Sequence, residues 1–228
     1  MTMAIADIRD TISLLTFDCY GTLIDWETGI RQNLGGVFEL GGAAGDDLIE
    51  AYIRTEASIE QQGYRSYREV QTETLRALAA SFRLKLPAEK ESALSLSLPD
   101  WPLFDDTNEA LQRLKRRYQL GVLSNIDRDL FAGTCAHLDV EFDLVVTAED
   151  VQSYKPAHPH FFRMLQLAPA EREGVLHVAQ SLYHDARPAA ELGLHYAWLN
   201  RYGQQRPDGV SLIGEFPTLA ALADALGA

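Results

Sequence analysis

The chain of 228 residues is poor in cysteine and in positive charge, and it has no long hydrophobic run. Each shortage excludes something. Two cysteines, Cys19 and Cys135, are too few for a disulfide framework or a zinc cage. Twenty Lys and Arg against 33 Asp and Glu give a net charge of −13, which argues against nucleic acid as a partner. No apolar stretch approaches the roughly 18–20 residues that a membrane helix needs. The first ten residues carry Asp7 and Asp10 and lack the basic start and apolar run of a secretory leader, so a cytoplasmic protein without membrane contact is expected. What remains, 46% hydrophobic and 23% charged residues, is ordinary for a globular chain long enough for a core domain with an insert. An anionic substrate would need a local positive site inside so acidic a protein.

The pattern of elements is that of an α/β fold. Leu14–Phe17 reads as a strand buried on both faces, running into Asp18 and a Gly21-Thr22 turn. From Glu27 to about Asp100 apolar residues recur at spacings of three and four, with Gly35-Gly36 and Gly41-Gly42 expected to end the first helix. No alternating strand pattern interrupts this block. Residues 26–100 are therefore expected to form a helical cap inserted between residues 1–25 and 101–228. In the second half helices and strands alternate: strands at 119–123, 142–146, 175–179 and 195–199, and helices at 107–118, 129–138, 158–167, 185–192 and 217–226. That alternation predicts a Rossmann-like, doubly wound parallel sheet.

Polar groups follow successive strands: Asp18, then Ser124 and Asn125, then Lys155, then Asp185. A parallel fold gathers strand ends at one edge of the sheet, where ligands bind. Singly, each has a plainer reading, because Ser124-Asn125 suits a turn, Lys155 an exposed loop and Asp185 a helix cap. Together they make chemical sense. Asp18 is a candidate nucleophile, Lys155 would keep it ionised, Asp185 would hold Lys155, and Ser124 and Asn125 would donate to an anionic group beside it.

Four ordered stretches carry a resemblance. Phe17-Asp18-Cys19-Tyr20-Gly21-Thr22-Leu23, Leu123-Ser124-Asn125, Tyr154-Lys155-Pro156 and His177 through Asp185 are similar to the motifs of the haloacid dehalogenase superfamily. The resemblance implies a site between cap and core with Asp18 as nucleophile, assisted by Thr22, Ser124, Asn125, Lys155 and Asp185. Most members are magnesium-dependent phosphatases with an acid two residues after the nucleophile and a Gly-Asp pair in the fourth motif. Here Tyr20 and Ala179-Gln180 stand in those places, which removes a general acid and weakens a hard-cation site.

The first motif instead resembles the metal-free L-2-haloacid dehalogenases, which need neither metal nor organic cofactor. In them the aspartate displaces halide from C2 and water then cleaves the ester, giving the inverted 2-hydroxy acid. Members of that group often pair as homodimers. Their fourth motif, Ser-Ser-Asn-x-x-Asp, has Leu182 in the place of its asparagine here, so Gln180 or His184 is expected to position the water. The expected partner is a small carboxylic acid. Arg54 is the first candidate for its carboxylate, with Arg65 and Arg68 as competitors, and Tyr20, Cys19 and Trp26 are expected along the pocket. Two alternatives keep the scaffold. One is an azetidine-2-carboxylate hydrolase in which Glu56 or Glu60 serves the amine, and the other is a magnesium-dependent phosphatase. A binding protein without catalysis is a further possibility.

Overall fold

Strand β1 (Leu14–Phe17) is buried along its whole length and lies in the middle of a six-stranded, fully parallel sheet of order β3-β2-β1-β4-β5-β6. The computed structural model describes residues 5–228, so part of the expected lead-in, residues 1–4, lies outside the described residues. In chain order the elements around β1 are α1 (Ile5–Ile8), α2 (Trp26–Val37), α3 (Asp46–Glu60), α4 (Tyr67–Phe82), α5 (Ala93–Ser97) and α6 (Thr107–Lys115). Then come β2 (Gln119–Ser124), α7 (Arg128–Cys135), β3 (Leu144–Thr147), α8 (Ala148–Val151), α9 (Pro159–Leu167) and β4 (Val175–Ala179). The chain closes with α10 (Arg187–Glu191), β5 (His195–Leu199), β6 (Gly214–Phe216) and α11 (Leu219–Leu226). None of these helices is long and apolar enough to cross a membrane.

Alternation along the strands builds the two layers of core. Leu15 and Phe17 of β1, Leu120 and Val122 of β2, and Leu176 and Val178 of β4 enter one apolar cluster. Leu14, Leu123, Val175 and Ala179 face the other, with Phe161 and Met164 of α9 packed on them. Both faces are covered, so the strands read as continuous apolar runs. Between β1 and β4 the strand order reverses direction, and a crevice opens beyond the carboxyl ends of the strands there.

Residues 26–100 are helical, as the spacing of their apolar side chains predicts. Three local expectations need correction. Helix α2 does not stop at Gly35-Gly36. A Cβ on Gly35 would sit 2.0 Å from the Gly42 carbonyl oxygen, so the glycine serves close backbone approach rather than helix termination. The sixth strand, β6, has no apolar run to announce it. It is three residues long, partly exposed and at the sheet edge. Asp185 does not open a regular helix either, because it lies inside a π-helical turn, Leu182–Ala186, that precedes α10. Such turns are frequent at functional sites.

Candidate active site

The groups that end β1, β2 and β4 converge with Lys155 at the crevice. Lys155 is 2% exposed, and its ammonium makes three short contacts: Asp18 Oδ1 at 2.9 Å, Asp185 Oδ1 at 2.7 Å and the Leu123 carbonyl at 2.8 Å. All three N–H bonds are thus used. Burial alone would lower the lysine's pKa, but Asp18 and Asp185 outweigh it and the net shift is upward. Asp185 is also buried, which on its own would raise its pKa. Lys155 and His177 reverse that and hold its carboxyl well below the usual range. Lys155 and Asp185 are therefore both charged at neutral pH.

The second oxygen of Asp18 accepts from the Thr22 hydroxyl at 2.9 Å, and the Gln180 N–H donates to that hydroxyl at 3.0 Å. Ser124 is 1% exposed, and its Oγ has no partner among the described residues. Asn125 has a further role beside the expected one. Its amide clasps the backbone of Lys155, donating to the carbonyl at 3.1 Å and accepting from the N–H at 2.7 Å. One N–H and the oxygen thus position the lysine loop, and the amide keeps a second N–H on a residue that lines the cavity. His160, which lies outside all four motif stretches, bonds the Ser124 carbonyl at 3.2 Å, and burial pushes its pKa down to about 3. His177 is a second unforeseen support, held between Thr16 Oγ1 at 2.9 Å and Asp185 Oδ1 at 3.0 Å. Its place in a buried strand beside Asp185 was the only available signal.

A cavity of about 240 Å³ lies over Asp18 between the sheet edge and the helical block. Tyr20, Trp26, Gln180 and His184 line it, as expected. His184 pairs with Ser181 Oγ at 3.0 Å, and burial lowers its pKa, leaving a neutral imidazole at ordinary pH. Cys19 does not line the cavity. It is completely buried in the apolar core, where burial and then Asp18 raise the thiol's pKa and keep it protonated.

Arg54 does not reach the cavity either. Tyr52, Ile53, Glu56, Ala57 and Glu60 of α3 line it, which defines one face of the helix, and Arg54 projects away from that face to pair with Glu50 at 3.4 Å. Arg65 pairs with Glu73 and Arg68 with Asp129, each at 2.5 Å, and neither lines the cavity. Lys155 is thus the one basic Lys or Arg on its wall among the described residues. Tyr52, Tyr67, Trp101 and Ser181 also line the cavity, beyond the residues expected there. The recurrence of Tyr52, Glu56 and Glu60 at every fourth position was the signal available for that helix face. Among the described residues no group of three or more His, Cys, Asp or Glu side chains is placed to hold a metal ion.

A carboxylate braced by an ammonium and a hydroxyl beside a small cavity has the arrangement that displacement chemistry requires. The chain belongs to the haloacid dehalogenase-like hydrolases, whose family model matches residues 12–193. It is 24% identical over 198 residues to a (S)-2-haloacid dehalogenase of Pseudomonas putida, covering 82% of this chain and 84% of that one. Its fold is similar to that of the L-2-haloacid dehalogenase RSc1362, with a TM-score of 0.84, 21% identity and coverage of 95% and 99% of the two chains. It is also similar to the magnesium-bound HAD-hydrolase YfnB of Bacillus subtilis, with a TM-score of 0.79, 19% identity and coverage of 95% and 99%. Fold similarity at this identity takes in both an L-2-haloacid dehalogenase and a magnesium-bound hydrolase, so the chemistry has to be argued from the side chains.

Proposed function

We propose that this hydrolase displaces a leaving group from C2 of a small 2-substituted carboxylic acid through an ester on Asp18. The simplest such substrate is an (S)-2-haloacid. One carboxylate oxygen of Asp18 attacks C2 from the side opposite the halide, the C–O bond forms as the C–halogen bond breaks, and halide departs with its electron pair. Water then adds to the aspartyl carbonyl, the acyl C–O bond breaks, and the (R)-2-hydroxy acid and one proton are released. Lys155 and Thr22 steady the charge of Asp18 in the first step and the charge that develops on its carboxyl oxygens in the second. The neutral His184 and the Gln180 amide, both on the cavity wall, are the groups that orient the water.

The observation that carries this reading is the Asp18–Lys155–Asp185 contact set facing a small cavity. Tyr20 and Gln180, where metal-dependent relatives place carboxylates, support a reaction without metal, since halide leaves unprotonated. The relatives named (S)-2-haloacid dehalogenase point the same way, and none of the relatives described above is named for ring opening or phosphate transfer. Chloride release from (S)-2-chloropropanoate tests it. Release undiminished by EDTA is expected, and dependence on added magnesium would contradict the metal-free step.

A further inference from the structure

We propose that the substrate bears a protonated amine as well as its carboxylate, the ammonium resting on Glu56 and Glu60 and the carboxylate on Ser124. This rests on the Asp18 displacement above and specifies which 2-substituted acids the cavity takes.

The cavity has two chemically distinct ends. At the sheet edge, Ser124 Oγ is a buried donor with no partner, aimed into the space beside Asp18. A buried hydroxyl left unpaired is costly unless a ligand satisfies it. On the opposite wall, α3 presents Glu56 and Glu60 one turn apart. Glu56 is fixed in place, because its Oε1 accepts from Tyr52 at 2.6 Å, Tyr67 at 2.7 Å and Gln71 at 2.8 Å. Those bonds converge on one oxygen and leave Oε2 out. Neither acid forms an ion pair with a Lys or Arg among the described residues. Burial raises the pKa of both carboxyls, that of Glu60 more strongly because Glu56 stands beside it. With no cation paired to them among the described residues, the two carboxyls are driven towards their neutral forms, and an ammonium placed between them would restore their charge.

The walls between these ends suit a cation as well. Tyr20, Trp26, Tyr52, Tyr67 and Trp101 line the space, and aromatic faces attract ammonium groups. A purely alkyl acid would set its methyl group against two carboxylates and leave them desolvated. An amino acid-like zwitterion satisfies both ends.

Two isosteric pairs test this. In the first, calorimetry on the wild-type chain compares (R)-3-amino-2-hydroxypropanoate with (R)-2-hydroxybutanoate, in which a methyl replaces the ammonium. The amino acid is expected to bind at least about tenfold more tightly, and Glu56→Gln or Glu60→Gln, whichever folds with an unchanged melting profile, is expected to bring the ratio towards one. Equal binding, or a preference for the methyl compound, overturns the inference whatever the enzyme catalyses. In the second, chloride release is followed from (S)-3-amino-2-chloropropanoate and (S)-2-chlorobutanoate. Faster release from the amino compound supports the inference. Release from the chlorobutanoate alone overturns it and leaves the Asp18 reading intact. No release from either, with the binding preference present, overturns the displacement reading and leaves the ammonium site standing.

Discussion

Lys155 separates two carboxylates that would otherwise face each other inside the protein. Lys155→Met keeps its bulk but strands Asp18 and Asp185, and removing one partner of a buried ion pair costs about 3–5 kcal/mol. Urea denaturation at pH 7 should show a loss of that size together with loss of turnover; a change below about 1 kcal/mol would contradict a buried ion pair at Lys155. Asp18→Asn is a gentler change, since the amide oxygen still accepts from Lys155 and the amide NH2 can donate to the Thr22 hydroxyl oxygen. It should fold with near wild-type stability and lose activity by at least about a thousandfold. These residues were legible in the sequence because each follows a strand, and a parallel sheet delivers strand ends to one edge. The supports beneath them were not. Nothing in the order of residues says that the Asn125 amide turns back to clasp Lys155, or that Thr16 and His177 prop Asp185, since both depend on contacts between segments far apart in the chain.

At the scale of the element, α2 and α4 hold the cavity's walls by different means. In α2 a Cβ on Gly29 would come within 2.4 Å of Trp101, whose ring lines the cavity. Ala gains about 0.5–1 kcal/mol over Gly in a helix interior, but overpacking costs about 1–3 kcal/mol, so the clash wins. Gly29→Ala should lower Tm and raise KM through displacement of Trp101. Gly36→Ala is the control, since it lies in the same helix with nothing within 4 Å of its Cβ, and it should raise Tm. Helix α4 is capped from the other side of the cavity. Asp127 begins α7 but makes no cap there; its two oxygens accept from the Tyr67 and Arg68 N–H groups of α4 at 2.8 and 3.1 Å. Ser66 and Glu69 supply the rest as a capping box. Asp127→Ala should cost about 1 kcal/mol, measured by denaturation, and weaken substrate binding through Tyr67. The helical character of this region could be read from spacing alone. Its register could not, and Tyr52, Glu56 and Glu60 occupy the wall where Arg54 is expected.

Across the whole molecule, buried histidines set the acid side of the stability curve. His160 has its pKa depressed to about 3 by burial, with Lys155 adding to the effect, whereas an unfolded histidine titrates near 6.5. Its neutral form therefore supports folding above about pH 6.5, and that support drains away as pH falls towards 3, with a slope of at most about 1.4 kcal/mol per pH unit. His184, also depressed, adds in the same direction. His160→Gln should flatten the decline between pH 6.5 and 4 in denaturant titrations. Asp185, whose pKa is held low, begins to lose its contribution only below the unfolded carboxylate value near 3.9. The overall architecture was the most legible part, because a doubly wound sheet writes itself as apolar runs alternating with amphipathic helices. Only β6, short and at the edge, left no trace.

The covalent role of Asp18 is tested most directly by a single turnover in water enriched in oxygen-18, with enzyme in excess over substrate. The hydroxy acid should carry oxygen-16 taken from Asp18, and the peptide containing Asp18 should gain two mass units. Oxygen-18 in the product of that first turnover, with an unlabelled Asp18 peptide, would mean that water attacks C2 directly and would contradict the ester.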